Sequence, residues 1–100
     1  MDMERARREQ IRWLILVAVN AGRPEAVAEP LILSAIQGVP VQCTPLELRR
    51  ELDYLEDRSL IELRRHEGAP WTADLTRHGV DFVEYTIDAQ PGIARPKKYW

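Results

Sequence analysis

The chain has 100 residues, of which 45% are hydrophobic and 30% are charged, and its formal net charge is −2. This length suits one small domain with a single core, and the composition argues against intrinsic disorder of the whole chain. The slightly negative total excludes a strongly basic protein that binds nucleic acid through its overall charge, so any such surface must be local.

The single cysteine, Cys43, excludes an intrachain disulfide and a thiolate metal cluster, and it favours a reducing compartment. The apolar run at residues 13–19 is far shorter than the roughly 20 residues that a transmembrane helix needs. Acidic residues among the arginines that precede this run argue against a signal peptide. We therefore predict a cytoplasmic protein without a membrane partner.

Residues 3–21 predict a long first helix with an apolar face that includes Ile11 and Ile15. Gly22 is predicted to end this helix in the left-handed conformation, and Pro24 prevents the helix from continuing. The first turns are predicted to form a solvated extension rich in arginine, with Arg5, Arg7, Arg8 and Arg12. This extension suits either contact with a DNA backbone or pairing with a second copy of the chain.

A second helix is predicted from residue 24 or 25 to about residue 37, but Pro30 interrupts the pattern. An interior proline removes one backbone hydrogen bond and costs about 3 kcal/mol in a regular helix. Two alternatives follow: the helix begins near Pro30, or residues 25–29 form a separate turn.

The third helix has the clearest start signal in the chain. Thr44, Pro45 and Glu47 form a capping box with proline at the first helical position. An apolar stripe at helical spacing follows, formed by Leu48, Leu52 and Leu55. We predict a helix from Pro45 to about Arg58.

A β-hairpin and a fourth helix are predicted next. Residues 60–65 and 71–75 alternate between apolar and polar side chains, and the turn between them has its tip near Gly68. Thr76 is then the predicted N-cap of a helix that runs from Arg77 to about Tyr85. Residues 86–100 show no helical or strand period and are predicted to form an irregular tail. Its last two residues, Tyr99 and Trp100, are large enough to bind a groove on a partner protein.

Two segments, "LDYLEDRSLIELRR" and "WTADLTRHGVDFVEY", resemble the winged helix-turn-helix superfamily. The resemblance implies an α+β fold at residues 1–85, with a three-helix core, a two-stranded wing and a C-terminal helix, followed by the tail at residues 86–100. Ser59 stands where this family often has glycine. The tail sequence "PGIARPKKYW" is also similar to small uncharacterised proteins of Mu-like phages and prophages.

The resemblance implies a DNA-binding regulator of transcription, related to phages or prophages. We also predict a homodimer, because one small module rarely buries enough surface for specific affinity. A winged helix places its third helix in the major groove and its wing on phosphates or the minor groove. The candidate contacts to duplex DNA are Gln42, Thr44, Arg49 and Arg50 on the helix, and Arg64, Arg65 and His66 on the wing.

The acidity of the predicted third helix is an obstacle to this function. Five carboxylates outnumber its three arginines, namely Glu47, Glu51, Asp53, Glu56 and Asp57. Carboxylates that face DNA would repel its phosphates. The alternative is a winged helix used as a protein-interaction or assembly module that does not bind DNA.

Catalysis has little support in the sequence. His66 and His78 have no cysteine pair near them, so we predict no metal site. Nucleophile-elbow, phosphate-loop and dinucleotide-binding motifs are absent. We therefore predict no catalytic residues, no cofactor and no enzymatic activity.

Overall fold

The computed structural model describes residues 2–98 and has an α+β architecture, as predicted. In this range the chain forms four helices and a three-stranded antiparallel sheet. The elements are α1 (Met3–Ala21), β1 (Val27–Ala28), α2 (Glu29–Gln37), α3 (Pro45–Asp57), β2 (Ile61–Arg64), β3 (Thr72–Leu75) and α4 (Arg77–Val83). None of the described helices is long and apolar enough to cross a membrane.

The predicted hairpin is present, and β3 lies at the centre of the sheet in the order β1-β3-β2. In the hairpin Ile61 lies opposite Leu75 and Arg64 opposite Thr72. Gly68 has φ +71° at the tip, a conformation that glycine adopts without steric cost. The sequence did not predict β1, which pairs only two residues with β3.

Helix α1 supplies much of the core, and it ends differently from the prediction. Its residues Ile11, Ile15, Leu16 and Val19 are fully buried. Gly22 has φ −87° and ψ −7°, so the predicted left-handed ending is wrong. The Gly22 N–H bonds to carbonyls of the preceding turn, which needs no positive φ. A Cβ at Gly22 would lie 2.4 Å from Val27 Cγ2, so this glycine allows β1 to approach α1.

Helix α2 follows the first of the two predicted alternatives. It begins at Glu29, and Pro30 occupies its first turn, where the missing N–H removes no helical hydrogen bond. The residues before it form β1 instead of a helical turn. Because β1 leads directly into α2, the start of this helix is attached to the sheet.

Helix α3 has the predicted capping box. The Glu47 N–H donates to Thr44 Oγ1 at 3.1 Å, and the Thr44 N–H donates to Glu47 Oε1 at 3.2 Å. The helix is followed by Ser59, which has φ +62° although it is not glycine. Its carbonyl accepts a hydrogen bond from Thr76 Oγ1 at 2.6 Å, and this contact joins the turn to the start of α4.

After α4 no helix or strand is present among residues 84–98, and this segment crosses the surface of α1. Ile93 is buried in the core, and the Ala94 N–H donates to the carbonyl of Glu9 at 3.1 Å. Arg95 donates to two backbone carbonyls at 2.9 Å each. The predicted partner-binding residues Tyr99 and Trp100 lie outside the described residues.

Candidate nucleic-acid interface

The solvent-facing side of α3 changes character along the helix. Leu48, Leu52 and Leu55 point into the core. The opposite side has an exposed stripe at helical spacing, formed by Leu46, Arg50, Asp53 and Asp57. The N-terminal half of this stripe is therefore apolar and basic, whereas its C-terminal half is acidic.

Arginines of α1 bind two of the five α3 carboxylates. Arg7 bonds to Glu47, and this contact lowers the pKa of the Glu47 carboxyl. Arg12 Nε donates to Glu51 Oε1 at 2.7 Å, and the two side chains are only 14% and 8% exposed. The prediction of a solvated extension is thus wrong for Arg7 and Arg12. These arginines lie on the α1 face that packs against α3, so they neutralise its acidic side chains.

A third arginine, Arg65, follows β2 and binds two more α3 carboxylates. Its guanidinium bonds to Asp53, and it bonds to Glu56 at 2.8 Å. The other Glu56 oxygen accepts the Leu63 N–H at 3.0 Å, and the Arg65 contact lowers the pKa of Glu56. Among residues 2–98, Asp57 is the α3 carboxylate that has no ion pair. The helix is therefore less negative toward solvent than its sequence indicates.

Arg49 is directed toward Glu29 and toward Trp71, the residue just before β3. Its Nε and Nη2 donate to the two carboxylate oxygens of Glu29 at 2.7 and 2.8 Å. Its guanidinium carbon lies 4.3 Å from the centre of the Trp71 ring, within the range of a cation–π contact. Two of its three nitrogens are thus engaged inside the protein, and its predicted contact with DNA stays a prediction.

Glu29 connects α2, α3 and the residue that precedes β3, a role that the sequence did not reveal. Its side chain is 11% exposed and accepts the Trp71 N–H as well as the two Arg49 bonds. Its own N–H donates to the Trp71 carbonyl at 2.9 Å. No local pattern signals this role, because the partners lie 20 and 42 residues away.

Of the arginines predicted to contact DNA, Arg50 and Arg64 are the two that are not bound to other side chains of the described residues by ion pairs. Both side chains are exposed, and neither forms an ion pair within the described part of the chain. His66 is also exposed and lies 3.5 Å from Thr72 Oγ1. Arg50 lies on α3 and the other two lie on the adjacent hairpin, so the fold brings the three to neighbouring elements.

Gln42 and Thr44 lie just before α3 and are exposed. The Gln42 backbone carbonyl accepts from Arg7 Nη1 at 2.8 Å. The Thr44 hydroxyl is engaged as the cap of α3. The structure therefore places an exposed Gln42 before the N-terminus of α3 and gives Thr44 a structural role.

A groove of about 670 Å³ separates the N-termini of α2 and α3 from the hairpin tip. Its apolar walls include Pro30, Leu33, Pro45, Leu46 and Pro70. Leu46 is 62% exposed at its rim and was not among the predicted contacts. The sequence does contain a signal for an exposed apolar residue here, because Leu46 lies outside the apolar stripe formed by the buried leucines of α3.

Chemistry at Cys43 is disfavoured by its surroundings. The side chain is buried, and burial raises the pKa of the thiol to about 11. The thiol is therefore protonated at neutral pH, whereas nucleophilic attack and metal binding need the thiolate. No group of histidine, cysteine and acidic side chains in residues 2–98 is arranged to hold a metal ion.

The Glu29–Arg49 contact predicts a pH-dependent stability. Hydrogen bonds from Arg49 lower the pKa of the Glu29 carboxyl. The contribution of the ionised Glu29 to stability is therefore fully present above its unfolded-state pKa and is lost as the pH falls through its folded-state pKa. We expect Glu29→Gln to reduce the loss of unfolding free energy between about pH 5 and about pH 3. Urea titrations at each pH measure it, and the exposed Glu25→Gln is the control. An unchanged pH dependence in Glu29→Gln would contradict this role.

Comparison with known proteins finds a solved structure with a similar fold. No protein-family model matches the sequence, and no curated protein matches it. The solved structure of BpsR from Bordetella bronchiseptica, whose DNA binding is regulated by 6-hydroxynicotinic acid, matches with a TM-score of 0.60 and 17% identity. The match covers 76% of this chain and 50% of the BpsR chain, so the chain spans about half the length of that neighbour. This chain therefore shares its fold with part of a DNA-binding protein.

Proposed function

We propose that this protein is a winged-helix regulator of transcription that binds duplex DNA, with α3 in the major groove and the β2–β3 hairpin on the adjacent backbone. One observation carries the proposal: exposed Arg50 on α3 and exposed Arg64 on the hairpin lie on neighbouring elements without internal ion pairs among residues 2–98. Arginine suits both contacts, because its guanidinium forms forked bonds to guanine and to phosphate.

The arrangement of elements supports the proposal. Helices α1, α2 and α3 pack together, and α3 is followed directly by the hairpin. This order corresponds to the three-helix core and two-stranded wing of a winged helix. A capped helix beside a hairpin also presents two elements to one duplex, one for base edges and one for phosphates.

The internal ion pairs weaken the electrostatic objection to DNA binding. Glu47, Glu51, Asp53 and Glu56 are each bound by an arginine from α1 or the hairpin. Paired carboxylates contribute little negative potential at a distance, because the charges of the pair cancel. The N-terminal half of α3 is then free to approach the phosphates.

Two further features of the proposal rest on other grounds. We propose a homodimer, because one small module buries little surface for specific affinity. From the sequence alone we also propose a cytoplasmic location and a phage or prophage origin. The BpsR likeness supports DNA binding in general, and the proposed function requires no cofactor, metal or catalysis.

A salt series with generic duplex DNA tests the function. We expect affinity to fall steeply with salt, and Arg64→Ala to reduce the slope of log K against log salt by about 1, since one phosphate contact is lost. Arg77→Ala is the matched control, because this exposed arginine belongs to α4 and not to α3 or the hairpin, the two elements proposed to contact DNA. Absence of binding at low salt by the folded protein would overturn the proposed function.

The apolar groove favours a second candidate, a protein-interaction or assembly module. Leu46 is 62% exposed at the rim of the groove, and Leu31 is 64% exposed on α2 outside it. The net charge of −2 offers no general attraction to DNA. This candidate predicts that Leu46→Ala weakens self-association in sedimentation experiments while DNA has no effect. Self-association that is unchanged by Leu46→Ala would count against it.

A further inference from the structure

Leu46 is an exposed apolar side chain at the position where a recognition helix first meets DNA. It is 62% exposed in the first turn of α3. Core packing does not account for it, because the buried leucines of α3 lie on another face. Arg50 is the next residue along the exposed stripe, one helical turn away, and residues four apart on a helix are neighbours on its surface.

The chemistry of the major groove offers a partner for each of these side chains. Among the four bases, thymine presents a C5-methyl group, which apolar side chains contact. Guanine presents O6 and N7, which accept two bonds from one arginine. The residues near the N-terminus of a recognition helix are those that reach base edges. An apolar residue and an arginine one helical turn apart can therefore contact two nearby bases, the apolar residue a thymine and the arginine a guanine.

Neighbouring side chains leave Leu46 and Arg50 accessible to a ligand. Asp53, the following residue of the stripe, is held by Arg65, so it does not compete for Arg50. Arg49, beside Arg50 in sequence, is held by Glu29 and stacked on Trp71. Arg50 forms no ion pair among residues 2–98. Of these two adjacent arginines, Arg49 is bound within the protein, whereas Arg50 projects to solvent beside Leu46.

We propose that Leu46 and Arg50 determine sequence specificity, Leu46 by packing on the methyl group of a thymine and Arg50 by donating to a guanine within about two base pairs of it. This inference rests on the proposed DNA-binding function. It identifies Leu46 as a specificity-determining residue and predicts a thymine and a guanine in each half-site.

The test begins with selection of preferred duplexes from a random library by the full-length chain. Each thymine of the selected site is then replaced by deoxyuridine, which removes only the methyl group. We expect one replacement to lower affinity about three- to tenfold, as for the loss of one buried apolar carbon. Leu46→Ala should bind the thymine and deoxyuridine sites equally, and Arg50→Ala should lose the preference for the nearby guanine.

Leu31→Ala is the matched control, because Leu31 is 64% exposed on α2 and is not part of the α3 stripe. It should retain the full discrimination against deoxyuridine. Equal binding of both sites by the parent chain would overturn the inference while leaving DNA binding intact. Loss of discrimination in Leu31→Ala but not in Leu46→Ala would also overturn it. Absence of any selected or bound duplex would instead overturn the proposed function, and the inference with it.

Discussion

Replacement of Arg12 by alanine is expected to lower the free energy of unfolding by about 3 to 5 kcal/mol, a large fraction of the stability of a small domain. The change removes the partner of Glu51, whose side chain is 8% exposed and would retain an uncompensated charge. It also removes the donor to the Gly92 carbonyl at 2.8 Å and the stacking of the guanidinium on Tyr54 at 3.6 Å. Urea denaturation followed by circular dichroism measures the effect.

Arg5→Ala is the control for this measurement. Arg5 also binds a carboxylate of α1, Glu9 at 3.2 Å, but its side chain is 71% exposed. An exposed pair of this kind is worth about 1 kcal/mol or less. If Arg12→Ala cost no more than Arg5→Ala, the buried contact between α1 and α3 would not be a principal attachment in this fold.

Gly79→Ala is expected to destabilise the fold by about 3 kcal/mol, because an added methyl group overpacks the contact between α4 and the start of β2. A Cβ on Gly79 would lie 2.0 Å from the carbonyl oxygen of Leu60. That oxygen belongs to the backbone and accepts the Thr76 N–H, so it cannot move without disturbing the cap of α4. The measurement is again the midpoint and slope of urea unfolding.

Gly38→Ala provides the matched comparison. Gly38 has φ −72°, and a Cβ there would lie 3.4 Å from its nearest neighbours, so alanine fits with small adjustments. We expect little change in stability. Equal effects of the two substitutions would show that the close approach of α4 to Leu60 does not restrict residue 79.

The features predicted correctly from the sequence are those whose causes lie within a few residues. The capping box at Thr44 and the N-cap at Thr76 depend on contacts three residues apart. The hairpin follows from alternation on both sides of Gly68. Pro30 limited the start of α2 to two alternatives, because the effect of proline on a helix is local.

Features that depend on distant contacts were missed or wrongly predicted. Strand β1 has only two residues, and their partners in β3, Ala73 and Thr72, lie 46 and 44 residues later in the chain. Gly22 was predicted to be left-handed, but its importance comes from the close approach of Val27. Local patterns cannot reveal such contacts, because the tertiary fold determines which residues meet.

The acidity of α3 shows how this limit affects a functional conclusion. The sequence alone predicts that the carboxylates of α3 form a face that repels DNA phosphates. In the structure Arg7, Arg12 and Arg65 bind four of them, and these arginines lie on α1 and after β2. The separations in sequence reach 40 residues, so the charge of the exposed face became clear only from the fold. The exposure of Leu46 is predictable from the sequence, because this residue lies outside the buried stripe of its own helix.

Nuclear magnetic resonance of the isotopically labelled chain, titrated with generic duplex DNA at low salt, tests most directly whether α3 and the hairpin bind DNA. The proposed function predicts the largest changes in amide chemical shift at Leu46, at Arg50 and at hairpin residues 64–68, with little change in α4. Changes confined to α4 and the segment that follows it, or a folded chain whose spectrum does not respond to DNA, would contradict it.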